Sequence, residues 1–377
     1  MGSEIIVVIV VATALIFDFT NGFHDTANVV ATSISTRAMP PRVAVGYAAI
    51  LNFAGAFISL EVAATVANDV VHVQSTSIGL LAVFGGLVGA IAWNLITWYF
   101  GLPSSSSHAL IGGMVGAVFV AEGADNVFFE EGIIGKVMVP AIVAPILAFL
   151  VGGLAIVVIY RIVGRLRPGP VTGGFRGGQV ISGGLLALAH GTNDAQKTMG
   201  VITLALVANG TISESNFHVP DWVVVSSATA IALGTYVGGW RIIKTMGSRI
   251  HKMDAAQGFA AQGAGSTVIL AASHVGFPLS TTHTISGAVI GSGAAKRLSA
   301  VRWGVAGNIV VAWVLTLPGA AIIGAFTYLI TRIFGTGAAG PVIVSIAILA
   351  GTVLLFARRA RESAAPGVVP ATESPPT

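Results

Sequence analysis

The sequence contains no cysteine. Disulfides, thiol nucleophiles and cysteine-built zinc sites are therefore excluded. Charge is nearly as scarce. Asp, Glu, Lys and Arg make up 9% of the 377 residues, against roughly 25% in soluble domains. So few charges cannot cover a water-facing surface. With 54% apolar residues, most of that surface is expected to face lipid. A cleavable leader is also missing: EIIVVIVVATALIFDF (Glu4 to Phe19) has no basic start and no convincing cleavage site, so it reads as a retained span. The net charge of +4 calls for no nucleic-acid partner, because the basic residues sit in short loops. No cofactor and no resident metal is expected.

What the sequence does have is apolar runs and 48 glycines, which let membrane helices approach closely. Runs near the length of a spanning helix cover 4–36, 43–66, 77–101, 104–121, 133–163, 178–208, 222–246, 257–275, 279–295, 303–334 and 341–357. The fold class is an all-α integral membrane protein of about 10–12 membrane segments, multi-pass in the cytoplasmic (inner) membrane. Breaks are expected near Asn21-Gly22 and Gly191. Lys and Arg gather at Arg37/Arg42, Arg161–Arg176, Arg241–Lys252, Lys296–Arg302 and Arg358–Arg361, which places those loops in the cytoplasm. Loops 67–76, 121–132 and 209–221 have none and are placed outside; Arg332 does not fit the pattern.

The chain repeats itself. NGFHDTANVVAT (Asn21 to Thr32) resembles HGTNDAQKTMGV (His190 to Val201), 169 residues apart at Asp25 and Asp194. SSSHALIGG (Ser105 to Gly113) resembles STTHTISGA (Ser280 to Ala288), 175 apart at His108 and His283. The loop charges give the copies opposite orientations, with 77–101/104–121 and 257–275/279–295 as re-entrant helical hairpins. Two inverted repeats with broken helices are the pattern of a secondary transporter. The expected organisation is a first repeat at 1–165, a cytoplasmic linker at 166–177, a second repeat at 178–335, an extra helix at 336–357 and a disordered tail at 358–377.

The paired motifs carry the chemistry. Pro103 and Pro278 end one helix, and Ser or Thr starts the next. Helix-start N–H groups and the hydroxyls of Ser106, Ser107, Thr281 and Thr282 together make an anion site. The structural alternative is that each hydroxyl bonds only to its own helix. Asp25 with Asn28, and Asp194 with Lys197, lie three apart on one helix face each. An intramembrane carboxylate marks a functional site, so Asp25 and Asp194 are expected to carry coupling ions or protons. Lys197, His24 and Asn193 join that set. A helix cap at Asp25 and a structural ion pair at Asp194/Lys197 are the alternatives. The roles of His24, His108, His190 and His283 as relays or packing residues stay open. Asp18 is a lesser proton-site candidate, and His72, His218 and His251 are expected to be solvated loop residues.

NGFHDTANVVATSISTRAM and HGTNDAQKTMG, with the two Pro-Ser/Thr-His stretches, resemble the inorganic phosphate transporter (PiT) family, nearest its bacterial low-affinity branch. The resemblance implies uptake of inorganic phosphate through an inverted-repeat fold, with Asp25, Asn28, Asp194, Ser106, Ser107, Thr281 and Thr282 at the anion. Sodium-coupled members tend to carry GANDVAN in both halves, whereas this chain reads GFHDTAN and GTNDAQK. An ammonium at Lys197 beside Asp194 makes a second cation unwelcome: two unit charges about 4 Å apart interact by roughly 4 kcal/mol at an effective dielectric of 20. Proton coupling rather than sodium is therefore expected, and the branch implies that divalent metal–phosphate complexes are accepted too. The expected function is thus proton-coupled symport by alternating access, without enzymatic activity. A sulfate permease, a membrane phosphotransferase and a passive anion channel are the alternatives. Oligomeric state is open, with a homodimer among the options.

Overall fold

The computed structural model describes residues 2–364. Among the described residues, regular structure is helical apart from one antiparallel β-bridge between Val71 and Val127. The first half comprises α1 (Gly2–Ser35), α2 (Pro41–Gly55), α3 (Glu61–Asn68), α4 (Ser77–Phe100), α5 (Ser106–Glu122) and α6 (Val139–Val163). A π-helical segment, Phe129–Met138, leads into α6. The second half comprises α7 (Pro168–Ala208), α8 (Asp221–Val237), α9 (Trp240–Lys244), α10 (Ala255–His274), α11 (Thr281–Lys296) and α12 (Trp303–Ile333), followed by α13 (Ala339–Ala364).

Among the described residues, Glu4–Ser35, Ser77–Phe100, Phe129–Val163 and Trp303–Ile333 are single helices long and apolar enough to cross a membrane. Asp221–Val237 and Trp240–Arg249 make a fifth span, bent by 59°. The other expected membrane segments are shorter or less apolar helices by this measure. The 43–66 run divides into α2 and α3, and α5 and α11 have only 17 and 16 residues. α4 is long enough to cross, so its length alone does not mark it as re-entrant. α6 and α12 show most of their apolar side chains to the surroundings, including Leu150, Leu154, Val314 and Phe326, as lipid-facing helices must.

The expected breaks are absent. α1 runs through Asn21-Gly22 and α7 runs through Gly191 without interruption. These glycines serve packing. A Cβ on Gly22 would lie 2.2 Å from the Ile231 carbonyl of α8, and one on Gly191 would lie 2.1 Å from the Asn52 carbonyl of α2. No freed carbonyls are available there to coordinate a cation. The linker also differs: from Pro168 onward its residues are the first turns of α7, since proline suits a helix start. α13 continues to Ala364, into the stretch expected to be disordered, and 365–377 lie outside the described residues.

Contacts between the halves are reciprocal. The α4–α5 hairpin packs on α12, and the α10–α11 hairpin packs on α6. Small residues set the spacing. A Cβ on Gly112 or Gly116 would meet the Leu317 or Ala321 carbonyl at 2.5 and 2.1 Å. One on Gly287 or Gly291, each 175 residues later, would meet the Pro145 or Phe149 carbonyl at 2.3 and 2.1 Å.

The two ends differ in charge. The Val71–Val127 bridge joins two of the loops lacking Lys and Arg, and Phe217 of the third shares a cavity of about 160 Å³ with Asn68, Val71 and His72. Asp69 pairs with Lys136 there. Elsewhere Asp254 caps α10 in a capping box with Gln257 and accepts from Tyr160 Oη at 2.5 Å and Lys296 Nζ at 3.0 Å. Burial pushes its carboxyl up, but these donors hold it below the usual range. His251 was expected to be solvated. It is 1% exposed, with Nε2 3.0 Å from the Val289 carbonyl, and burial lowers its basicity.

Candidate anion site at the hairpin tips

Each hairpin turn is built from the same parts. Gly101 and Gly276 adopt left-handed φ of 66° and 78°, which other residues resist. Pro103 and Pro278 follow, then the caps. Ser105 Oγ accepts the His108 N–H at 3.1 Å, and Ser280 Oγ accepts the His283 N–H at 3.2 Å. Capping consumes Ser105 and Ser280 and leaves the next two hydroxyls of each tip free to point into the protein.

Those four hydroxyls meet the motif residues in a crossed pattern. The first of each pair stays within its own half: Ser106 Oγ donates to Asp25 Oδ2, and Thr281 Oγ1 donates to Asp194 Oδ2 at 3.1 Å. The second reaches across. Lys197 Nζ donates to Ser107 Oγ at 2.5 Å, and Asn28 Nδ2 donates to Thr282 Oγ1 at 2.8 Å. Thr282 Oγ1 also lies 3.3 Å from Asp25 Oδ1. The tips touch directly, Ser107 Oγ donating to the Leu279 carbonyl at 3.2 Å. One ligand atom each from Asp25, His190 and Asp194 lies within 4.8 Å of the others, so the two motifs converge.

Lys197 is the cation of this centre. Its Nζ donates to Asp194 Oδ1, Ser107 Oγ and, at 2.7 Å, the Leu279 carbonyl. These use all three of its N–H groups. Every anion-site residue named from the sequence is buried, Ser107 and Asn28 at 2% exposure being typical. The site is closed to solvent in this conformation. Hydroxyl, amide, ammonium and carboxylate groups from both halves meet there and bond to one another.

Comparison with known proteins identifies what this arrangement belongs to. Residues 21–324 match the model of the phosphate transporter family. The chain belongs to that family. A probable low-affinity inorganic phosphate transporter of Mycobacterium leprae (strain TN) is 50% identical over 353 residues, covering 94% of this chain and 84% of its own. One of Bacillus subtilis (strain 168) is 43% identical over 326 residues, covering 86% and 97%. A solved structure described as the sodium-dependent phosphate transporter superposes with a TM-score of 0.79 over 87% of this chain and 99% of its own, at 24% identity. That likeness shows the fold. The family is one of transporters, not enzymes.

The remaining site residues of the transporter take supporting positions. His24 Nδ1 lies 2.7 Å from Asp25 Oδ1 and its Nε2 lies 3.1 Å from Thr97 Oγ1. Asn193 ties the second hairpin down, donating to Ser273 Oγ at 2.8 Å and the Phe277 carbonyl at 3.2 Å. His190 Nδ1 lies 3.2 Å from Asn52 Oδ1, and its Nε2 faces Asp194 Oδ2 at 3.0 Å. His108 and His283 meet edge to face, centroids 4.7 Å apart, and His283 stacks on Trp313. Several partners escaped the sequence reading. Asn21 accepts from Ser106 at 2.7 Å, and Thr97 and Ser104 surround the His24 ring. Asn21 belongs to the repeated motif and could have been named. Thr97 lies in an apolar run with no motif to mark it.

Proposed function

We propose that the transporter imports inorganic phosphate by symport with protons, through alternating access between two oppositely oriented halves, 1–165 and 178–335. The observation that carries this reading is the crossed pattern at the tips, where four hydroxyls from two repeats converge on two carboxylates and one lysine. The reciprocal glycine contacts support the two-half organisation.

The geometry suggests how anion and proton are linked. Asp25 accepts from Ser106 and Thr282. While ionised, it holds those donors and repels an incoming anion. A proton on Asp25 weakens both effects, so the hydroxyls turn to phosphate and the acid can itself donate. Phosphate and proton thus stabilise one another's binding, which is what coupling requires. Lys197 favours protons over sodium, because a fixed ammonium already sits on Asp194. Asp194 beside Lys197 offers a carboxylate that can accept a hydrogen bond from phosphate but none from fully ionised sulfate, which favours phosphate as substrate.

The test is radiolabelled phosphate uptake into proteoliposomes with pH, sodium and magnesium gradients imposed separately. Accumulation driven by an inward proton gradient is expected. Accumulation driven by sodium alone would replace the proton reading, and uptake indifferent to both would indicate a passive path. Magnesium stimulation at fixed free phosphate would show that the metal–phosphate complex is carried.

A further inference from the structure

Asp18 lies on α1, two helical turns before Asp25. It is fully buried, and neither carboxylate oxygen makes a hydrogen bond. The side chains of Thr198 on α7 and Asn21 on α1 lie beside it. Thr198 Oγ1 is also buried without a hydrogen-bond partner. A carboxylate and a hydroxyl from two helices, neither with a hydrogen bond of good geometry, therefore sit together next to the anion site. Buried polar atoms are rarely left so.

The charges around Asp18 decide what is missing. The charged groups acting on it are Asp194 and Lys197, both on α7. α4 and α8 flank α1 and carry ionisable side chains only in their end turns, Tyr99, Asp221 and Tyr236, while Arg241, Lys244 and Arg249 belong to α9 and the turn after it, which pack further along α1 at Phe23 and Ala31. Tyr47 of α2 donates to the Val180 carbonyl, and His108 and His283 of the hairpins face each other. Among the described residues Lys197 is the cation that acts on it, and its three N–H groups are already held by Asp194, Ser107 and Leu279. An ionised Asp18 would be unsolvated, without a counter-ion and next to Asp194 of the same sign. That state is heavily penalised. A proton removes the charge, and the new O–H finds an acceptor in Thr198.

We propose that Asp18 is the residue that carries the coupling proton, with Thr198 as its hydrogen-bond partner when loaded. This rests on the proton-coupled reading above and goes beyond it by separating two duties. Asp25 takes up the proton as the anion binds, and Asp18 then stores the proton that must leave before the empty carrier returns. When the site opens to the cytoplasm, water reaches Asp18 and it ionises.

Asp18→Asn mimics the protonated acid permanently. It is expected to lower proton-driven accumulation of radiolabelled phosphate by about tenfold or more, while phosphate–phosphate exchange without a gradient stays within about twofold, because exchange needs no proton release. Asp18→Glu is expected to retain accumulation. If wild-type accumulation follows sodium and ignores pH, the symport reading fails, whatever Asp18 does. If wild type is proton-driven and Asp18→Asn is equally so, the assignment to Asp18 is wrong. Loss of exchange together with accumulation, in a variant present in the membrane, would also overturn it. Should Asp18→Asn not reach the membrane, Thr198→Val decides: the pH of half-maximal uptake is expected to move, and an unmoved midpoint overturns the proposal.

Discussion

At the scale of single residues, the central site divides into donors and acceptors with different expected effects. Asp25→Asn removes the protonatable acceptor of Ser106 and Thr282. It is expected to abolish proton-driven uptake without preventing membrane insertion, checked by transport assay and membrane fractionation; wild-type uptake would remove Asp25 from coupling. Ser107→Ala combined with Thr282→Ala deletes one cross-half hydroxyl from each tip. Hydrogen bonds to charged groups contribute about 1.5–3 kcal/mol each, so the half-saturation concentration for phosphate is expected to rise at least tenfold. An unchanged value would place the anion elsewhere. Lys197→Asn leaves Asp194 buried without its cation, which costs about 3–5 kcal/mol when one partner of a buried pair is removed. Sodium is expected to restore the balance, so this variant's uptake should become sodium-dependent, and a sodium-blind variant would refute the argument from Lys197. The residues in these predictions were legible in the sequence because the repeat marked them twice. Thr97 and Ser104 were not, since their roles arise only when α4 and its turn fold against His24.

At the scale of elements, glycine explains both what the sequence revealed and what it concealed. A glycine before a polar motif inside an apolar run reads as a break. The same residue also permits close helix packing, and only the partner helix tells the two apart. Gly22 and Gly191 proved to be packing contacts, each opposed by a backbone carbonyl. Gly191→Ala is therefore expected to destabilise strongly, lowering the melting temperature in detergent by about 5 °C or more. Gly46→Ala provides the contrast. It sits within α2 with open space at its Cβ position, so better helix propensity should leave stability unchanged or raise it by up to about 1 kcal/mol. Equal effects at the two sites would contradict the packing argument. The hairpin turns were legible for the opposite reason: Gly, Pro and a hydroxyl cap in sequence have one common use.

At the scale of the whole molecule, the loop charges anticipated which segments gather at each end. Loops 67–76 and 121–132 meet at the Val71–Val127 bridge, with Phe217 of the third loop close by. The absence of native cysteine makes the orientation directly measurable. Thr211→Cys is expected to react with a membrane-impermeant maleimide on intact cells, and Gly169→Cys only after permeabilisation; both positions are exposed. The reverse pattern would invert the assigned orientation. The character of each segment was less legible than its position, because hydropathy does not distinguish a full span from a short helix paired tip to tip with another.

The uninterrupted course of α1 and α7 limits how such a machine can move. A helix without a break has no joint at its centre, so Asp25 and Asp194 ride on continuous struts. Swinging is left to the pieces with joints: the two hairpins at Gly101 and Gly276, and the elbow at Gly238-Gly239 between α8 and α9. Spin-label distances should therefore change between hairpin tips and struts during turnover, and stay fixed along each strut.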